Sequence, residues 1–126
     1  MSNGTASASA ISDHGDKLQL LNNLSSVINA TVYQKMWCDQ NQDQTNSSNY
    51  ALRLSRLNAS YTTLSKALWE DWIGDAATVK RNMQAATDNV NQSVKDIQSN
   101  VNTAQNIVKA LGYLDQVIAI AAKLAP

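Results

Sequence analysis

Apolar positions recur along this chain at intervals of three and four, the period of helices that bury one face. From Lys17 to about Cys38 the set is Leu18, Leu20, Leu21, Leu24, Val27, Ile28, Val32, Met36 and Trp37. A second set, Tyr50, Leu54, Leu57, Tyr61, Leu64 and Leu68, steps by alternating fours and threes. A third runs from Val79 through Met83, Ala86, Val90, Val94, Ile97, Val101, Ala104 and Val108 to Leu111. The pattern predicts an all-α chain with helices over about 16–38, 48–72 and 75–124. The last two would form a long antiparallel hairpin of coiled-coil type, with the first as an additional N-terminal helix.

Breaks between the sets carry the rest of the architecture. Asp39 to Asn49 holds no apolar residue, and its Asn, Asp and Ser favour turns and caps. Extending the Tyr50–Leu68 stripe backwards passes through Ser47, Asp43 and Gln40, out of register with the Leu18–Val32 face. A break near 40–47 explains that better than one helix of more than about fifty residues, with a continuous polar helix as the alternative. At Trp72-Ile73-Gly74 the glycine can take the left-handed conformation that ends a helix, and Asp75 can cap the next. The third helix meets no breaker until Gly112, where a mid-helix glycine costs about 1 kcal/mol relative to alanine and the helix can break or kink. Residues 1–15, rich in Ser, Ala, Asn and Gly, read as a disordered arm, and 16–126 as a single helical domain.

Composition narrows the function. Ten basic and ten acidic residues cancel, so the positive field of a nucleic-acid binder is absent. Asn and Gln, 24 together, outnumber the 20 charged side chains. Solvated helix faces usually draw on Glu and Lys. An amide surface repels copies of itself weakly and can hydrogen-bond to them. It is either drift on a tolerant surface or a surface that other subunits cover.

Chemistry is sparse. Cys38 is the only cysteine and reads as a small buried hydrophobe, and His14 is the only histidine. Neither a metal cluster nor a nucleophile beside an oriented base can be assembled from them. Glu70, Asp71 and Asp75 sit at a helix end and a helix start, where capping and dipole compensation account for them. The expectation is no catalytic residue, no cofactor, no metal and no enzyme. The N-terminus shows no Sec signal, and the longest apolar run, Val117 to Ala122, falls far below the ~20 residues that cross a bilayer. No stable membrane insertion is expected.

The candidate interaction residues are therefore apolar. Trp69 and Trp72, beside Gly74, either plug the end of the hairpin or anchor a partner. Tyr113, Leu114, Val117, Ile118, Ile120 and Leu124 make the C-terminal helix a hydrophobic one in need of a surface. An unbroken third helix about 70 Å long would leave much apolar area in water, which points to a homo-oligomer or a helical protein partner.

The run Leu64-x3-Leu68-x3-Trp72-Ile73-Gly74-Asp75-Ala76 resembles the central signature of the WXG100 (ESAT-6-like) small helical hairpin proteins. The resemblance covers roughly residues 40–111 in pattern. It implies an interaction protein whose Trp-x-Gly lies in the turn, which pairs into four-helix dimers and is secreted without a Sec signal. That family's acidic residue four after a tyrosine is replaced here, where Val117 follows Tyr113. The chain also has the additional N-terminal helix and ends apolar. Those departures suit the alternative, a self-assembling subunit of a helical secretion filament or needle-like extracellular structure.

Overall fold

Two short connections, at 41–43 and between Gln98 and Thr103, fold the chain into two helical hairpins that pack into one four-helix bundle. A computed structural model of the chain describes residues 14–67, 72, 76–100 and 102–124. The helices are α1 (His14–Gln40), α2 (Gln44–Lys66), α3 (Ala76–Gln98) and α4 (Thr103–Leu124). The expected arm, apart from residues 14 and 15 at the start of α1, lies outside the described residues, as do Trp69 and Gly74.

The polar stretch after Cys38 makes a tight turn. Asp43 Nα donates to the Cys38 carbonyl at 2.8 Å, and Gln42 takes a φ of 60°. The Asp43 carboxylate then caps α2 by accepting from the Asn46 amide at 3.1 Å. Ser47 Oγ donates back to the Asp39 carboxylate, tying the two helices together across the turn. The break expected near 40–47 is present.

The third expected helix is two helices. Its break falls at 99–102 rather than at Gly112, which lies inside α4. Asn100 and Asn102 take φ values of 58° and 48°, a left-handed region that asparagine tolerates better than other non-glycine residues. Ser99 Nα bonds the Lys95 carbonyl at 3.0 Å and Asn100 Nα the Ile97 carbonyl at 3.1 Å, closing α3. The turn also resets the phase of burial. Ile107, Ala110, Leu111 and Leu114 face inward, while Ala104 and Val108, expected on the apolar stripe, face out.

Helix contacts run α1–α2, α2–α4, α4–α3 and α3–α1, a closed ring with α1/α4 and α2/α3 on the diagonals. Each hairpin is antiparallel, whereas α1 and α3 run in the same direction. Lys80 Nζ meets Asp16 at 2.9 Å near the start of both, and Gln34 Nε2 meets Ser93 Oγ at 3.0 Å farther along. On the opposite side Arg53 of α2 forks onto Asp115 of α4, at 3.0 and 3.1 Å. Leu24, Val27, Tyr50, Leu57, Met83, Val90, Ile97, Leu114 and Val117 fill the centre.

Candidate interaction surface

Most of the residues expected to bind a partner are spent inside the bundle. Trp72 is fully buried at the end where α1 and α3 begin, with Lys17 Nζ 5.8 Å from its ring centroid. A cation over an indole face is attracted by the ring quadrupole, and here the pair closes that end of the core. Leu114, Val117 and Leu124 are buried too. Tyr113, Ile118 and Ile120 are half-buried and packed against the core. The apolar C-terminal helix finds much of the surface it needs in this chain's own helices, with Tyr113, Ile118 and Ile120 left half-buried. An interface must be sought on the outside.

Large apolar side chains are left there unevenly. Those exposed among the described residues are Leu18, Val32, Tyr33 and Met36 on α1, Leu52 and Tyr61 on α2, and Val108 on α4. Leu18, Met36 and Val108 are the barest, at 51%, 54% and 69%. α1 carries more than half of the set, and its residues 18–34 include no charged side chain. Leu18, Asn22, Ser25, Asn29, Val32 and Met36 recur on it by alternating fours and threes, turned away from the core. All are exposed except Ser25, which is half-exposed. From sequence these residues merge with Leu20, Leu21, Leu24 and Val27 into one wide inward face. The missed signal is the absence of charge on the side of a helix that must meet water.

The remaining chemistry is structural. Burial, and then the Asp43 and Asp39 carboxylates, push the Cys38 thiol up to about 11, so the thiolate is scarce at neutral pH. Burial likewise raises the Tyr50 phenol. Hydrogen bonds from Ser47 and Lys35 hold Asp39 below the usual carboxylate range. Gln34 Oε1, Tyr50 Oη and Trp72 Nε1 are buried without a hydrogen-bond partner among the described residues. Among those residues no three His, Cys, Asp or Glu side chains come together as a metal site would require. No described helix is long and apolar enough to cross a membrane.

No family model, curated protein or solved structure matches this chain.

Proposed function

We propose that this chain is a non-enzymatic helical interaction protein that works by associating with copies of itself. The observation that carries the reading is the uncharged outer face of α1, which leaves Leu18 and Met36 about half exposed and Val32 partly exposed on a bundle that buries its core without them. A solvent-facing helix side that has no charge and leaves large apolar side chains at both ends is suited to being covered by another surface. The WXG100-like form of the proposal is a discrete dimer released from the cell without a Sec signal. In that family two hairpins from two chains make four helices. Here one chain supplies all four, so association falls to the outer surface.

The second reading, a filament subunit, is favoured by Leu52 and Val108, which are bare on helices other than α1. A subunit with two different adhesive faces makes head-to-tail contacts, and those grow into open polymers unless they close. Light scattering with electron microscopy of the purified chain separates the readings. A discrete dimer supports the first, long rods support the second, and a monomer at every concentration removes both. Recovery of the protein from culture medium of intact cells tests its release.

A further inference from the structure

α1 carries two seams. The inner one is part of the core. The outer one, Leu18, Asn22, Ser25, Asn29, Val32 and Met36, keeps the alternating four-and-three spacing by which one helix packs along another. Resting on the self-association reading above, we infer that this outer seam packs against the same seam of a second copy, with the two α1 helices antiparallel about a two-fold axis.

Three features of the seam select a second copy. Its spacing of four, three, four, three, four reads the same from either end, so the same positions can meet themselves across a two-fold axis between antiparallel helices. Antiparallel pairing then sets Leu18 against the partner's Met36, Asn22 against the partner's Val32, and Ser25 against the partner's Asn29. The seam also carries no charge, so a copy meets no repulsion, while a charged partner finds nothing to recognise. Finally, its central pair is self-complementary: the Ser25 hydroxyl and the partner's Asn29 amide can each donate and accept, and the two-fold axis makes the contact twice. The antiparallel sense also sets the partly positive start of each α1 beside the partly negative end of the other.

Sedimentation velocity on the full chain tests the pairing by charge exchange. Leu18→Lys and Met36→Glu, each alone, should raise the dimer dissociation constant roughly tenfold or more, with circular dichroism melts confirming a folded bundle. Both changes in one chain should restore association, because each introduced ammonium then faces the partner's introduced carboxylate. Leu52→Lys on α2 should leave the dimer intact. Independently of charge, mixing Ser25→Cys chains with Asn29→Cys chains under oxidation should give covalent dimers holding one of each, since Cys38 is buried. Association untouched by the single changes, or a double variant that dissociates further, or no mixed covalent dimer, overturns this interface and leaves self-association standing. A wild-type chain that stays monomeric at every concentration overturns self-association itself.

Discussion

Gln34 of α1 reaches Ser93 of α3 inside the bundle, Nε2 to Oγ at 3.0 Å, with both side chains almost wholly buried. Ser93 Oγ in turn donates to the Val90 carbonyl at 2.6 Å, so its hydroxyl is satisfied on both counts. The same glutamine leaves its Oε1 without a partner among the described residues. A buried carbonyl oxygen left dry costs about 1–3 kcal/mol, which offsets what the contact to Ser93 contributes. Gln34→Met should therefore be neutral or stabilising by up to about 1 kcal/mol, as it removes the orphan and keeps the volume. Ser93 keeps its bond to Val90 in that variant. Chemical denaturation measures it, and a loss above about 1 kcal/mol would mean that Oε1 is hydrated in solution.

The α2–α4 side is joined by a different kind of contact. Arg53 presents Nε and Nη2 to the two Asp115 oxygens while Nη1 donates to the Asn49 carbonyl at 3.1 Å. Arg53 is mostly covered but Asp115 is half-exposed, so water screens the pair. A double-mutant cycle with Arg53→Ala and Asp115→Ala should give a coupling of about 0.5–1 kcal/mol that shrinks in high salt. Arg53→Lys should lose most of it, since a point charge cannot reproduce the fork.

Gly112 sits within α4 on its exposed side, and a Cβ built there meets nothing within 4 Å. Alanine restricts the unfolded chain and suits a helix, with no clash to offset the gain. Gly112→Ala should stabilise the bundle by roughly 0.5–1 kcal/mol, raising Tm by roughly 2–5 °C in a calorimetric scan. A helix that genuinely bent at this position would show a loss instead.

Cys38 links stability to alkaline pH. Its thiol is held at about 11 against an ordinary 9.0, so the folded state keeps the proton that the unfolded chain gives up. The sign follows: stability is complete below the unfolded value and declines as pH rises between the two. Cys38→Ala should flatten that decline, read from denaturation midpoints at pH 8 and at pH 10–11. At pH 8 the native thiol should hold roughly a hundredfold less thiolate than an ordinary cysteine and react with a disulfide reagent at least that much more slowly than in denaturant.

Helix period is a local property, so the all-α class, the extent of the first helix and the turn after Gln40 were legible from spacing and turn chemistry alone, whereas the second helix, expected over 48–72, runs Gln44–Lys66. The same holds for the apolar character of Leu114, Val117, Ile118 and Leu124. The turn at 99–102 escaped because neither glycine nor proline marks it. Two asparagines do the work of glycine there, and asparagine is too common along this chain to stand out. Periodicity shows that residues share a face; it does not say what covers that face. Only the packing of the four helices decided that most of the C-terminal apolar stripe and Trp72 would be used up inside, that Val108 would point outward after the phase reset, and that α1 would turn Leu18, Val32 and Met36 toward solvent. Burial belongs to a pair of surfaces, and the second surface is set by the fold.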